Sequence, residues 1–209
     1  MTPSTQGLLR RRTAFGLAAA ALMILAAPDP SAAQSASESQ SAQFIEQTVQ
    51  RLVAVVNSSV PEAEKRQQSQ AIIDSSVDVD GVARFCLGRF WNEASPEQRA
   101  DYTKLFHEVL VNNITSKLGE YKGVSVTINH TTERGDDDVV NSTVNRPNNP
   151  PTAVDWVVAR GTPKIVDVIA EGTSLRLTQR QDYMSYLVHN GNNVDRLIQA
   201  IREQAAQNG

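Results

Sequence analysis

Between Val154 and Leu175 the chain reads VDWVVARGTPKIVDVIAEGTSL, two runs of alternating apolar residues that meet at Gly161-Thr162-Pro163 and pass directly into a helical pattern. Alternation of period two on either side of a short break containing Gly and Pro specifies a β-hairpin. With Arg160 set opposite Lys164, Val158 faces Val166, Trp156 faces Val168 and Val154 faces Ala170, so a single register gathers every apolar pair on one side of the sheet. The other side receives Asp155, Val157 and Ala159 against Ile169, Asp167 and Ile165, a mixed set suited to partial cover. A hairpin with one consistently apolar side requires something laid upon that side, and the rest of the chain must supply it.

The elements around the hairpin follow from their own periodicities. Ser35 to Gln43 is rich in Ser, Gln and Ala and reads as a frayed lead-in. Phe44, Ile45, Thr48, Val49, Leu52, Val53 and Val56 then form a helical stripe that belongs on a core. Asn57 to Pro61 interrupts it, and a more polar helix continues to about Ser75. Asp78 to Trp91 is a short amphipathic stretch through Val82, Phe85, Cys86, Phe90 and Trp91. Ser95-Pro96-Glu97-Gln98 opens the next helix, with Ser as N-cap, Pro at the first helical position and Gln at the box position. That helix runs to about Leu118 and turns Tyr102, Leu105, Phe106, Val109, Leu110, Ile114 and Leu118 to one face. Val124, Val126 and Ile128 alternate with polar residues as a first strand, and Val140 and Val144 mark a second after a polar turn from Glu133 to Asp138. Arg146 to Pro151 is a loop, and the hairpin gives strands three and four. Two helices, Leu175 to Val188 and Val194 to Ala205, close the chain around Asn190-Gly191-Asn192-Asn193. Helices, a four-stranded antiparallel meander and further helices define an α+β domain.

Residues 1–33 are set apart from this domain. Arg10-Arg11-Arg12, an apolar run from Ala14 to Ala27 and small residues at Ser31-Ala32-Ala33 make a secretory signal peptide cleaved near Ala33. The apolar run is short for a permanent span, no cysteine follows it to carry a lipid anchor, and the paired arginines leave both the general and the twin-arginine export routes open. The expected location is therefore the periplasm, with 34–43 as the lead-in and 44–207 as a single domain. Cleavage removes three arginines and Asp29, taking the net charge from -3 to about -5. That balance excludes a basic nucleic-acid footprint. Cys86, the single cysteine, sits between Phe85 and Leu87 as a small buried hydrophobe rather than a reactive thiol. Three scattered histidines make no zinc site, and no cofactor is called for.

The chemistry-bearing residues point to hydrogen bonding more than to catalysis. Asp155 and Asp167 do not fall opposite one another in the hairpin register, and no His or Lys is positioned beside them, so structural roles are expected. Asp136-Asp137-Asp138 reads as a solvated turn, too poor in oxygen ligands for calcium. Arg89, Arg160, Lys164 and Arg180 are surface cations by default, with a lipid phosphate or an acidic partner as the functional alternative.

Phe85-x-Leu87-Gly88-Arg89-Phe90-Trp91, Ser95-Pro96-Glu97-Gln98, Asp155-Trp156, Lys164-Ile165-x-Asp167-Val168 and Glu171-Gly172-x-Ser174-Leu175 followed by Arg180 resemble, in order and spacing, the MlaC family, also called the toluene-tolerance auxiliary proteins. The stretch from Thr178 to Arg180 departs from the usual start of the last helix pair, and Tyr183 stands where Phe is frequent. The resemblance covers nearly the whole chain after the signal peptide. It implies a monomeric, non-enzymatic periplasmic carrier that holds a phospholipid in an apolar cavity between a curled sheet, cone-like in the nuclear transport factor 2-like manner, and its helices. It implies two partners, an inner-membrane ABC transporter complex with MCE domains and an outer-membrane lipoprotein complex, and a role in outer-membrane lipid asymmetry; a related branch implies a hopanoid cargo.

On that reading the cavity is lined by Val126, Ile128, Val140, Val144, Val154, Trp156, Val158, Val166 and Val168 from the sheet. Phe85, Leu105, Phe106 and Val109 are the expected contribution of the helices, and Arg89 and Arg180 that of the headgroup or partner contact. Periodicity alone leaves a filled ordinary core open for the same residues. A structural adaptor and a cone-fold enzyme therefore stand beside the carrier, the enzyme needing a polar dyad where this sheet face offers mostly valines.

Overall fold

The computed structural model describes residues 30–208. Five helices come first: α1 Pro30–Asn57, α2 Glu62–Ser76, α3 Val79–Leu87, α4 Phe90–Glu93 and α5 Pro96–Thr115. A 3-10 turn at Leu118–Tyr121 leads into β1 Ser125–Arg134, β2 Asp137–Asn145, β3 Thr152–Ala159, β4 Lys164–Ala170 and β5 Thr173–Ser174, and α6 Leu175–His189 and α7 Val194–Asn208 follow. The strands lie side by side in chain order and every neighbouring pair is antiparallel. The α+β class and the meander therefore stand, with five strands in place of four. The extra strand arises because Glu171 and Gly172 both adopt positive φ, 51° and 78°, which reverses the chain tightly enough for Thr173 and Ser174 to pair with Ala170 and Ile169. The signal peptide expected over 1–33 lies outside the described residues as far as position 29.

The hairpin register holds at its base and shifts at its tip. Val154 pairs with Ala170, Asp155 with Ile169, Trp156 with Val168 and Val157 with Asp167, but Val158 meets Ile165 and Ala159 meets Lys164. A bulge takes up Val166, so Ile165, not Val166, is the apolar partner of Val158, and both are buried. The exposed edge β1 carries a second irregularity between Ile128 and His130, a device that blunts an open edge. The other edge, β4, is closed by β5 at one end and by Val77 at the other, where Val77 bridges Ile165 and the Asp78 amide donates to the Ile165 carbonyl at 3.0 Å.

The helix starts are set by their caps. Ser95 and Gln98 form the reciprocal capping box of α5, with Ser95 Oγ accepting from the Gln98 amide and Gln98 Oε1 from the Ser95 amide. Asp78 accepts the Gly81 amide at 3.0 Å to open α3; a Cβ at Gly81 would collide with that carboxylate. The lead-in differs from expectation. Residues 34–43 belong to α1, and Ser41 is buried while Ala42 packs toward the sheet. The small side chains of Ser41 and Ala42, which read as linker, let the helix lie close on the strands.

Two apolar clusters result. The larger is helical and joins Leu87, Phe90, Tyr102, Leu187, Leu197 and Ile201 with their neighbours from α3 to α7. Tyr102, Phe106 and Tyr183 meet at ring separations of 5.9 to 6.3 Å, and Tyr102 Oη donates to the Ala83 carbonyl at 2.9 Å. Cys86 is fully buried in this cluster. The smaller cluster joins Ile45 of α1 to Val140, Val158 and Ile165 of the sheet.

Asp138 is not part of a solvated turn. The turn is only Gly135-Asp136, because Arg134 already pairs with Asp137, and strand alternation then puts Asp138 on the same side as Val140. There it is fully buried, accepts the Ser41 hydroxyl at 2.6 Å and lies 3.7 Å from the Arg160 guanidinium. Removing that hydroxyl with Ser41→Ala is expected to cost about 1.5–3 kcal/mol, as for a buried bond to a charged acceptor. A lower urea midpoint at unchanged slope would show it, whereas a midpoint equal to the wild type would mean that the bond contributes nothing. Burial pushes the Cys86 thiol up to about 12 against the lowering fields of Arg180 and Arg176. The folded protein should therefore resist a disulfide-exchange reagent at pH 8 and react once when unfolded. Because the unfolded thiol ionises first, this contribution to stability is complete below pH 9 and fades as pH rises toward 12.

Candidate functional site

One side of the sheet is largely apolar, with Asp138 and Ser142 as buried polar residues on it. Alternation and register place Val126 and Ile128 of β1, Val140 and Val144 of β2, Val154, Trp156 and Val158 of β3, and Ile165 and Val168 of β4 on it. Val140, Val154, Val158 and Ile165 are buried, whereas Val126, Ile128, Val144, Trp156 and Val168 are only half-buried. Trp156 occupies the centre, across from Val140 on one side and Val168 on the other. Its indole N–H donates to Ser142 Oγ at 2.9 Å, and that hydroxyl donates to the Val154 carbonyl at 2.9 Å. The ring's one polar atom is thereby satisfied inside the sheet, leaving the remainder as apolar surface. Val166, predicted on this face, is the bulge residue and is half-buried. The opposite side mixes the apolar pair Val139 and Val157, of which Val157 is buried, with a polar stretch where Asn129 donates to Asn141 and Thr143, and Asn141 donates to Asp155 at 2.6 Å.

Among the described residues the helix that covers the apolar side is α1, through Ala42, Phe44, Ile45 and Val49, joined at the β4 edge by Val77. Sequence reasoning had assigned that place to Leu105, Phe106 and Val109 of α5, and this is corrected. All three are buried in the helical cluster, where α5 packs chiefly on α7 and α3. Their broad face is used up by the aromatic contacts of Phe106 with Tyr102 and Tyr183. Phe85 also belongs there, partly buried at the cluster's margin. The signal for the true cover was present in the Phe44, Ile45, Thr48 and Val49 stripe, preceded by the small residues Ser41 and Ala42.

The polar candidates separate by role. Asp167 accepts from Ser174 Oγ at 2.6 Å, from the Val168 amide at 2.8 Å and from the Arg176 amide at 3.1 Å, so it anchors the start of α6. Asp155 sits two pairs along the ladder, against Ile169. Neither has the geometry of an acid/base pair. Lys164 Nζ donates to the Ser75 and Asp74 carbonyls at 2.7 and 3.3 Å, capping the end of α2. Arg160 pairs with Glu133 at 2.7 Å and donates to the Gly135 carbonyl. Arg180 donates to the Phe85 carbonyl at 2.7 Å and lies over the Phe85 ring at 4.9 Å. Gly88, at φ +59°, makes that approach possible, since a Cβ there would stand 3.0 Å from an Arg180 nitrogen. Arg89 is exposed and stacks on Phe90 at 4.8 Å. Arg89 and Arg180 share a cleft of about 430 Å³ with Arg84, Phe85 and Trp91, on the helical part of the molecule rather than on the sheet face. No group of three or more His, Cys, Asp or Glu side chains among the described residues is placed to hold a metal.

The fold recurs in a solved structure, the phospholipid-binding protein from Ralstonia solanacearum in complex with a phospholipid. The two chains are 24% identical and superpose with a TM-score of 0.69 over 80% of this chain and 97% of that one. No curated protein matches the sequence. The profile of the MlaC protein family matches residues 46–203, from the second turn of the sheet-covering half of α1 to the last turns of α7, and the chain therefore belongs to the MlaC family.

Proposed function

We propose that this protein is a periplasmic carrier that holds a phospholipid by its acyl chains between α1 and the apolar side of the sheet. The observation that carries the reading is the Trp156-centred face, continuous over four strands, half-buried at five of its positions and covered by α1. Each methylene exposed to water costs about 0.8 kcal/mol, so a lipid with dozens of them travels through water only inside such an apolar enclosure. Short β-branched side chains keep the sheet surface shallow and leave depth for a chain to lie on it. The likeness to a protein solved with a bound phospholipid points the same way.

Lipid is received from and delivered to membrane complexes at each end, an MCE-type ABC transporter of the inner membrane and a lipoprotein complex of the outer membrane, and the signal peptide provides the export. The carrier needs no cofactor and performs no covalent chemistry; the Ser142 hydroxyl, the Trp156 indole N–H and the Asp138 carboxylate on this side are each already bonded.

Native mass spectrometry of the protein purified without detergent, followed by organic extraction, is expected to find one phospholipid per chain. Val126→Asp and Val144→Asp, which place a carboxylate on the half-buried part of the face, are expected to lower lipid occupancy at least tenfold while the fold persists. Leu105→Ala serves as the contrast, losing about 2–5 kcal/mol of stability from the helical cluster without altering the lipid carried. A triterpenoid in the extract would redirect the pathway to hopanoids. A bare protein that stays bare after incubation with labelled vesicles would replace the carrier with an adaptor.

A further inference from the structure

The helices carry a second concave surface that the sheet face does not use. α3, α4, the first turns of α5 and α6 border two adjoining shallow clefts of about 430 and 720 Å³ that share Gly81, Arg84 and Trp91. Arg84, Arg89, Arg99, Lys104 and Arg180 line them, against the single carboxylate Asp80 and a histidine, His107, already paired with Asp74 at 2.6 Å. In a chain whose net charge is -3 this is a local concentration of positive charge.

Aromatic rings hold the guanidinium groups in place. Trp91 lies 5.9 Å from Arg84 and 5.6 Å from Arg99, and Phe85 lies 4.6 Å from Arg176 and 4.9 Å from Arg180. Two of these cations have structural work, Arg99 on the Trp91 and Asn92 carbonyls and Arg180 on the Phe85 carbonyl. Arg84 and Arg89 are exposed, and neither is ion-paired among the described residues.

Spread guanidinium groups around a half-buried indole match the interfacial layer of a bilayer, where basic residues meet lipid phosphates and tryptophan sits at headgroup level. The clefts are shallow and their cations are distributed over both, which suits a plane of phosphates better than one enclosed anion. We propose that this surface docks the protein onto bilayers that contain anionic phospholipid, with Arg84 and Arg89 as the groups that meet the phosphates. The proposal concerns contact with the membrane, and rests on the carrier reading only in that a carrier must come to a membrane.

Flotation of the protein with vesicles of phosphatidylglycerol and phosphatidylcholine, and with phosphatidylcholine alone, tests it. Binding is expected to the anionic vesicles, to weaken from low to high salt, and to fall about fivefold for each of Arg84→Gln and Arg89→Gln, roughly 25-fold for the pair. Neither side chain holds the fold through a hydrogen bond, and an unchanged thermal midpoint confirms that the variants are folded. Equal binding to both vesicle types, or full binding by the double variant, overturns the proposal, as does the absence of binding to either, which would assign the surface to an acidic protein instead. Lipid carried by the same samples, read by mass spectrometry, keeps the two questions apart: a bare protein that floats with anionic vesicles retains the docking surface and loses the carrier, and a loaded one that does not float does the reverse.

Discussion

The contact of α1 with the sheet is the interaction on which this architecture turns. A five-stranded sheet with Val140, Trp156, Val158 and Ile165 on one side is not stable with that side in water, and the larger helical cluster, which packs beside β4, leaves it uncovered. α1 supplies Ile45 to the face, and it supplies the Ser41 hydroxyl to the buried Asp138 carboxylate. Arg160 reaches the same carboxylate from the far end of β3 and also binds Glu133 on β1. One buried acid thus ties the helix and three strands into a common end of the sheet.

The helical cluster and the sheet meet mainly along β4. Val77 packs against both clusters and bridges to Ile165, Lys164 caps the helix that ends beside Val77, and Asp167 anchors the start of α6. These links are backbone-directed and fix the position of one edge strand. Among the described residues they leave the apolar side of β1–β3 to α1, so an aromatic half centred on Tyr102 and Tyr183 stands beside a half closed by that helix. Burial pushes both phenols well above the ordinary tyrosine range, a mark of how completely the aromatic half excludes water.

Most of this was legible because it is local. The hairpin, the α5 capping box, the Arg146–Pro151 loop and the two closing helices each follow from a few adjacent residues whose backbone preferences agree with the final fold. Asp155 and Asp167 were rightly separated by register, and Cys86 by its apolar neighbours. What failed was long-range. Periodicity identifies the apolar side of α5 and of α1 without saying which of them meets the sheet, and the two sites had to be told apart by packing partners such as Tyr183, distant in sequence. The Ser41 to Asp138 bond spans 97 residues, so Asp138 read as one more acid in a polar turn and Ser41 as linker. The bulge at Val166 was hidden for a different reason. Ile165 and Val166 are equally apolar, and the alternation that normally fixes a register is silent where two such residues stand side by side. The same holds for Arg84 and Trp91, whose common cleft is assembled from three helices.

The composition of the α1 contact bears on how a cargo could share the face with it. Two hydroxyl-bearing residues, Ser41 and Thr48, are buried along the helix, and among its large apolar residues Ile45 alone is fully buried on the sheet, with Phe44 and Val49 partly so. At roughly 1.5–3 kcal/mol for each large side chain when fully buried, those three give the contact with the sheet only several kcal/mol of apolar burial. A single acyl chain of sixteen carbons removes about fifteen methylenes from water, on the order of 12 kcal/mol at about 0.8 kcal/mol each. On the carrier reading the chain therefore outcompetes the helix for the half-buried positions around Trp156, and α1 need only shift outward, not leave, for the balance to favour the loaded state. A sheet surface built from leucine or phenylalanine would fill that depth itself and give the lipid nothing to displace. The valines that make the face look unremarkable as a core are, on this argument, what allows it to be shared.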